Sequence, residues 1–225
     1  MRRRGNGRDG AARLFAELAR LAEMSEVERR LRSYGFRHIA GSDEVGRGAL
    51  AGPVVAACVI LPGDSLLGVN DSKLLNPVWR RDVCRAVLSH ALAVSVGVVE
   101  PHVIDRVNIL RASKLAMQVA VENLSIRPEV LLLDAVSLES LELAQVPLIA
   151  GDRRSLSIAA ASVVAKVYRD SLMESYHEVY PHYDFLKNRG YATEGHLQAI
   201  AENGASPIHR RSFEGVAKPD LLFDL

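Results

Sequence analysis

Two adjacent carboxylates, Asp43 and Glu44, end a short apolar run and stand directly before a glycine-rich turn, Gly46-Arg47-Gly48. Neighbouring side chains of a strand point to opposite faces of a sheet, so these acids can converge on one ligand only where the strand ends or bends. The glycines permit such a bend. Adjacent acids repel each other unless a positive group lies between them, and a divalent cation is the usual solution. The stretch therefore predicts a metal site at a strand end, with an exposed turn of solvated charges as the alternative.

Two further aspartates follow predicted strands. Asp134 ends the apolar run of residues 129–133, and Asp152 follows a short strand candidate at 146–150. The carboxyl ends of strands are where α/β sheets place ligand groups. Each position also has a simpler explanation: Asp134 as a turn residue, and Asp152 as the N-cap of the following helix. Taken together, the four acids offer hard oxygen ligands that suit Mg²⁺ or Mn²⁺.

The hydrophobic patterns along the chain alternate between strand and helix. Apolar runs and valine-rich alternation predict strands at 37–43, 54–61, 92–99, 129–133 and 146–150. Helical spacing and capping signals predict helices at 11–33, 77–90, 101–124, 155–180 and 193–203. This order predicts an α/β domain with one mixed central sheet flanked by helices and a helical C-terminal extension.

Length and composition fit one ordinary domain with appendages. The chain has 225 residues, of which 48% are hydrophobic and 24% charged. Charged residues interrupt the apolar part that a signal peptide would need, and no run approaches the ~18 apolar residues that span a bilayer. Cys58 and Cys84 lie in apolar segments, which suits a reducing compartment. We therefore expect a cytoplasmic protein that does not associate with membranes.

The charge is unevenly distributed. Residues 1–37 contain ten arginines and five acids, whereas the remainder has 18 basic and 22 acidic side chains. Any phosphate-binding surface must therefore be a local patch. We divide the chain into a basic N-terminal extension at 1–36, with a disordered start and an amphipathic helix, a catalytic domain at 37–213, and a tail at 214–225.

The string SDEVGRGALAGPVVAA resembles the signature of the type 2 ribonucleases H, the bacterial ribonuclease HII family, and the resemblance covers roughly residues 38–213. It implies a ribonuclease H-like fold. It also implies an endonuclease that cuts the RNA strand of RNA–DNA hybrids and cuts 5′ of single ribonucleotides in duplex DNA, leaving 3′-hydroxyl and 5′-phosphate ends. The partners would be these nucleic acids, with no obligate protein partner, and we expect a monomer.

The resemblance assigns metal binding to Asp43, Glu44, Asp134 and Asp152, with Asp43 shared between two Mn²⁺ or Mg²⁺ ions. Two ions about 4 Å apart can activate a water and stabilise the leaving oxygen of an in-line displacement. Family members usually carry a lysine directly before the glycine-aspartate pair, which here is Gly151-Asp152. Ala150 stands there in this chain, so we expect a weaker phosphate contact nearby.

Recognition of RNA requires a contact with the 2′-hydroxyl, the group that separates RNA from DNA. The resemblance assigns this contact to the turn Gly46, Arg47 and Gly48. It assigns stacking on the sugar next to the cut to Tyr191, in the string NRGYATEGH. Lys73 lies in a DSK string that matches the family and is predicted to contact a backbone phosphate, with an ordinary loop lysine as the alternative.

Other basic residues suggest competing interpretations. Arg189 and the string HRRSF at 209–213 are expected to flank the groove, and Lys166 is either a phosphate contact or a helix-face charge. A non-catalytic nucleic-acid-binding module would explain these residues without a metal, but its four element-end carboxylates would repel phosphates. The nearest enzymatic alternative is another two-metal nuclease of the same fold, such as a Holliday-junction resolvase. A dinucleotide site lacks the spacing of its third glycine, and the scattered histidines argue against zinc.

Overall fold

The structure is a computed structural model that describes residues 7–63 and 77–216. Within these residues the strands are β1 (Ile39–Val45), β2 (Val54–Ile60), β3 (Ala93–Val99), β4 (Val130–Asp134) and β5 (Ala144–Leu148). The helices are α1 (Gly7–Met24), α2 (Glu26–Ser33), α3 (Pro77–His90), α4 (Pro101–Val107), α5 (Ile109–Glu122), α6 (Leu156–Val179), α7 (Phe185–Asn188) and α8 (Glu194–Asn203). None of these helices is long and apolar enough to cross a membrane.

The strands form one mixed sheet in the order β3-β2-β1-β4-β5. The first three strands in sequence pair antiparallel, whereas β4 runs parallel to β1 and β5 runs parallel to β4. Every residue of β2 is buried, which explains its continuous apolar sequence VVAACVI. The predicted mixed sheet with flanking helices is therefore confirmed.

Helix α6 covers one face of the sheet, and α5 covers the other. The first half of α6 is rich in small residues, so its backbone comes very close to β1. A Cβ atom at Gly41 would overlap the backbone of Ser157 and Ile158. The close contact fixes the position of α6 relative to the end of β1, where the acidic pair lies.

Two helices predicted as continuous are each divided in two. The single helix expected at 11–33 breaks at Ser25, between α1 and α2. The helix expected at 101–124 breaks at Asn108, which has a φ of 71° and accepts a hydrogen bond from the Arg111 amide. Asparagine adopts a positive φ more readily than most residues and caps the next helix with its side chain, so the apolar spacing continues across a real break.

The C-terminal elements pack against the loop that follows β1. Leu50, Met173, Phe185 and Ile200 belong to one buried cluster, which joins this loop to α6, α7 and α8. The predicted limits of α8 are confirmed, because Thr193 accepts a hydrogen bond from the His196 amide at its start and Gly204 ends it with a φ of 76°. Residues 217–225, most of the predicted tail, lie outside the described residues.

Candidate active site

Asp43 and Asp134 are brought side by side by the pairing of β1 with β4. The two parallel strands pair Ser42 with Leu133, so the next position of each strand is an aspartate. Neighbouring strands lie about 4.8 Å apart, and residues in register point to the same face. The chain thus places two acids at the carboxyl ends of adjacent parallel strands.

Asp43 is the most enclosed of the acids. It is 5% exposed, and its carboxylate accepts hydrogen bonds from the Glu44 amide at 2.8 Å and from the Ser162 hydroxyl of α6. Burial, together with the nearby charges of Glu44 and Asp134, raises the pKa of Asp43 to about 8 against the opposing effect of those hydrogen bonds. A group of this kind gains most from a bound cation.

Glu44 lies one residue further along the same strand. We expected the strand to end at Asp43, but β1 continues to Val45, and its bend comes at Gly46 with a φ of +90°. Pairing with β2 extends to the end of β1, because Asp43, Glu44 and Val45 each have a partner residue on β2. The two acids therefore belong to the last residues of a strand and not to the turn itself.

The Glu44 carboxylate is only partly compensated. Burial raises its pKa, and Asp134 adds to this effect, while the Arg47 guanidinium opposes it from 2.9 Å. Its Oε2 atom is buried and has no hydrogen-bond partner in the part of the chain that the structure describes. A buried carboxylate oxygen of this kind is a ready ligand for a cation.

Asp134 and Asp152 are connected through Gly151, in the segment between β5 and α6. Asp134 accepts a hydrogen bond of 2.7 Å from the Gly151 amide, and the next residue is Asp152, which is buried in a short 3₁₀ turn. Asp152 is not the N-cap of α6. That position belongs to Ser155, whose hydroxyl accepts from the Ile158 amide at 3.2 Å, so the capping alternative for Asp152 is wrong.

The acids fit a divalent cation by chemistry. All are hard oxygen ligands from strand ends and one turn, and they include an uncompensated carboxylate oxygen and a carboxyl group with a strongly raised pKa. Across residues 7–63 and 77–216, no group of three or more His, Cys, Asp or Glu side chains is already gathered around one point. Three of the acids instead accept hydrogen bonds within the protein: Glu44 from Arg47, Asp43 from Ser162, and Asp134 from the Gly151 amide.

Two buried arginines hold the loop that follows the acids. Arg169 of α6 donates to the carbonyls of Ala51 and Pro53, each at 3.0 Å. Arg210 donates to the carbonyls of Gly52 at 3.0 Å and Arg47 at 2.9 Å. The carbonyl groups of the loop therefore face inward, toward the guanidinium groups.

The positions of Arg210 and His209 contradict the expectation that these residues flank the substrate groove. Both are buried, so they do not flank a groove as surface charges. Burial lowers the pKa of Arg210 to about 9, with the charge of Arg169 as the second cause. Sequence reasoning missed Arg169 altogether. Its position seven residues after Ser162, on the buried side of α6, was the available signal.

Tyr191 lies against the same loop. It forms an isolated bridge with Ala49, and the preceding carbonyl, of Gly190, accepts hydrogen bonds from Leu50 and Ala51. The Tyr191 ring is partly exposed, with the Arg169 guanidinium carbon 5.4 Å from its centroid. The structure thus brings the predicted tyrosine beside the predicted glycine turn.

The other basic residues that were predicted near the substrate are Lys166, Arg189 and Lys73. Lys166 pairs with Asp170 at 2.7 Å and lies 5.9 Å from the centroid of the Tyr191 ring. Arg189 pairs with Glu174 at 2.9 Å. Lys73 lies outside the described residues.

Comparison with known proteins establishes the family. The family model for Ribonuclease HII matches residues 40–216. The chain belongs to the ribonuclease HII family. It is 50% identical over 206 residues to the ribonuclease HII of Listeria monocytogenes serotype 4a, covering 91% of this chain and 78% of that relative. The predicted membership of the ribonuclease HII family is confirmed.

Solved structures of related proteins agree with the fold. The ribonuclease H2 of Pyrococcus horikoshii OT3 has a TM-score of 0.67 at 26% identity, covering 80% of this chain and 95% of its own. Bst-RNase HIII in complex with Mn²⁺ has a TM-score of 0.64 at 20% identity, covering 83% and 70%, and shares the fold. The ribonuclease H-like fold is confirmed, and as a ribonuclease HII family member the chain is a metal-dependent endoribonuclease with ribonuclease H activity on RNA–DNA hybrids.

Proposed function

We propose that this enzyme, besides cutting the RNA strand of hybrids, nicks duplex DNA on the 5′ side of a single ribonucleotide and leaves 3′-hydroxyl and 5′-phosphate ends. The observation that carries the proposal is the register of Asp43 beside Asp134, at a strand end that leads directly into the glycine turn. A hydrolytic centre and a group that senses the sugar are thus adjacent in one molecule.

The proposed metal ligands are Asp43, Glu44, Asp134 and Asp152. Two Mn²⁺ or Mg²⁺ ions would supply a nucleophilic water and stabilise the leaving oxygen of the phosphodiester. The protein's own part is to hold the acids in place: Ser162 orients Asp43, and the Gly151 amide orients Asp134. The Mn²⁺ complex of Bst-RNase HIII, which shares the fold, supports a divalent ion.

The proposed sensor of the 2′-hydroxyl is the turn Gly46-Arg47-Gly48. The Arg47 carbonyl accepts from Arg210, and the loop amides from Ala49 to Gly52 donate to carbonyl groups within the fold, so we assign the contact to the amide N–H groups of Arg47 and Gly48. A Cβ atom at Gly48 would meet nothing within 4 Å, which leaves room for a sugar to approach the backbone. The Tyr191 ring, beside this turn, would stack on the neighbouring sugar.

Lys73 is the proposed contact with a backbone phosphate of the substrate. A contact of this type positions the duplex without reading its sequence, so Lys73→Ala should weaken binding to every substrate by a similar factor. It should also reduce the slope of log Kd against log salt by about one. An unchanged slope would remove Lys73 from the interface.

The proposed function is tested with a labelled DNA duplex that contains one ribonucleotide, incubated with Mn²⁺, with Mg²⁺ and with EDTA. An all-DNA duplex and an RNA–DNA hybrid serve as controls. We expect a metal-dependent nick 5′ of the ribonucleotide, cutting of the hybrid and no cutting of DNA. Cutting of the hybrid alone would contradict the single-ribonucleotide activity. Cutting of the all-DNA duplex would contradict the assignment of the turn to the 2′-hydroxyl.

A further inference from the structure

A chain of hydrogen bonds runs through two buried histidines behind Tyr191. The amide and hydroxyl of Ser206 lie 3.0 Å and 2.7 Å from His209 Nδ1. His209 Nε2 lies 3.0 Å from His196 Nε2, and His196 Nδ1 lies 2.8 Å from the carbonyl oxygen of Tyr191. The chain thus ends on the backbone of the residue that we assign to substrate contact.

The two ends of the chain fix every proton within it. An amide can only donate, so His209 Nδ1 must be an unprotonated acceptor. A carbonyl can only accept, so His196 Nδ1 must carry a hydrogen. One hydrogen then lies between the two Nε2 atoms only if both rings are neutral and His209 donates. A proton added to His196 would place two N–H groups against each other.

The surroundings of the rings favour the neutral forms. Both histidines are buried, with the Tyr183 ring 4.7 Å from His209 and the Phe185 ring 5.4 Å from His196, measured between centroids. Burial lowers the pKa of His196, and it lowers the pKa of His209 to about 4 with the neighbouring His196 as the second cause. The fold has therefore enclosed a neutral pair in an aromatic environment.

The segments that contain Tyr191 and His209 both pair with the loop between β1 and β2. Tyr191 bridges to Ala49, and His209 bridges to Ala51. The histidine pair thus joins two segments that are each attached to the loop between β1 and β2. A displacement of either ring would change the position of Tyr191 relative to that loop.

We propose that His196 and His209 are positioning residues, whose neutral hydrogen-bond chain sets the placement of Tyr191 against the glycine turn and thereby supports cutting at a single ribonucleotide. The inference rests on the proposed role of Tyr191 as a substrate contact. A lone ribonucleotide offers one 2′-hydroxyl, so its recognition depends on this placement more than recognition of a continuous RNA strand does.

The first test reads the protons directly and does not depend on activity. Histidine ring ¹⁵N shifts of the full-length protein, recorded near pH 7, should show His196 neutral with its hydrogen on Nδ1 and His209 neutral with its hydrogen on Nε2. The same tautomer in both rings, or a cationic ring, would overturn the proposal. Because no substrate is present, this result is independent of the proposed function.

The second test compares substrates. His196→Leu removes the donor to Tyr191, and we expect kcat/KM for a duplex with one ribonucleotide to fall about tenfold, with less than about a threefold loss on the hybrid. His196→Asn keeps a donor and should recover most of the loss. His102→Leu, at an exposed histidine of α4, is the matched control and should have no effect.

Tyr191→Ala distinguishes the substrate role of the tyrosine from the positioning role of the histidines. We expect it to change the ratio of the two activities in the same direction as His196→Leu. If Tyr191→Ala changes the ratio but folded His196→Leu loses activity equally on both substrates, the positioning role of the histidines alone is overturned. An unchanged ratio for Tyr191→Ala would overturn the substrate role of the tyrosine and this inference with it.

Discussion

Glu28 Oε1 lies 2.9 Å from the amide nitrogen of Ser157, so a carboxylate from α2 meets the N-terminus of α6. The same oxygen accepts a hydrogen bond of 2.7 Å from the Ser155 hydroxyl. A negative charge at a helix N-terminus is favourable because the helix dipole and the unpaired amides point toward it. Glu28 precedes the region matched by the family model, yet it holds the helix that carries Ser162 to Asp43.

Removing the Glu28 carboxylate should destabilise the protein. Glu28→Ala leaves two buried donors without their acceptor, and we expect the free energy of unfolding to fall by about 1–3 kcal/mol. Glu28→Gln keeps an acceptor oxygen and should lose less. Urea unfolding of the three proteins measures the difference. Equal stability of the wild-type protein and Glu28→Ala would show that the contact contributes nothing.

Asp43→Asn should abolish cleavage and stabilise the metal-free protein at alkaline pH. The folded-state pKa of Asp43, about 8, lies above its ordinary value of 3.8. Its contribution to stability is therefore greatest below pH 3.8 and is lost as the pH rises toward 8. Asparagine carries no charge to bury, so its stability lacks this decline.

Thermal unfolding at pH 6 and pH 8.5, with EDTA or with Mn²⁺, checks this prediction. We expect Mn²⁺ to raise the melting temperature of the wild-type protein more at pH 8.5, where Asp43 is deprotonated, and to have little effect on Asp43→Asn. An Asp43→Asn protein that cuts normally would contradict the proposed role of Asp43 as a metal ligand.

His209 should make the protein sensitive to acid. Its folded-state pKa, about 4, lies below the ordinary value of 6.5, so its contribution to stability is complete above pH 6.5 and is lost as the pH falls toward 4. His209→Gln lacks a titrating ring. Unfolding free energies at several pH values should show a smaller loss for the variant across this window. Parallel curves for the two proteins would contradict the prediction.

Gly46 and Gly48 provide a matched pair for separating fold from recognition. At Gly46 the φ of +90° and the overlap of a Cβ atom with the Arg169 side chain disfavour alanine, so Gly46→Ala should cost about 1–3 kcal/mol of stability. At Gly48 a Cβ atom meets nothing within 4 Å, so Gly48→Ala should keep its stability. If the turn contacts the 2′-hydroxyl, Gly48→Ala should still raise the KM for ribonucleotide-containing duplexes. Unchanged kinetics for Gly48→Ala would count against that contact.

Local signals in the sequence predicted the elements well, and long-range contacts limited the rest. The start of α8 at Thr193 and its end at Gly204 follow from capping chemistry that involves only neighbouring residues. The break at Asn108 was missed because apolar spacing continues through it. The burial of Arg210 could not be predicted, because its partners are carbonyl groups some 160 residues earlier in the chain.

The sequence predicted that the four proposed metal ligands lie at element ends, but it did not predict their arrangement. Each lies at an element end that the pattern located within a few residues. That Asp43 lies beside Asp134 depends on the parallel pairing of β1 with β4, which no local pattern specifies. The hydrogen bond from Ser162 likewise depends on the packing of α6 on the sheet.

The pairing of β1 with β4 also determines when the proposed active site exists during folding. Asp43 and Asp134 are separated by about 90 residues of sequence, and contacts across such distances form late because closing a long loop is slow and entropically costly. A chain that has formed its β1–β2 hairpin but has not yet docked β4 has only part of its acidic centre. Nuclease activity should therefore return during refolding only with the slowest step of sheet assembly, which would keep a partly folded chain from cutting RNA.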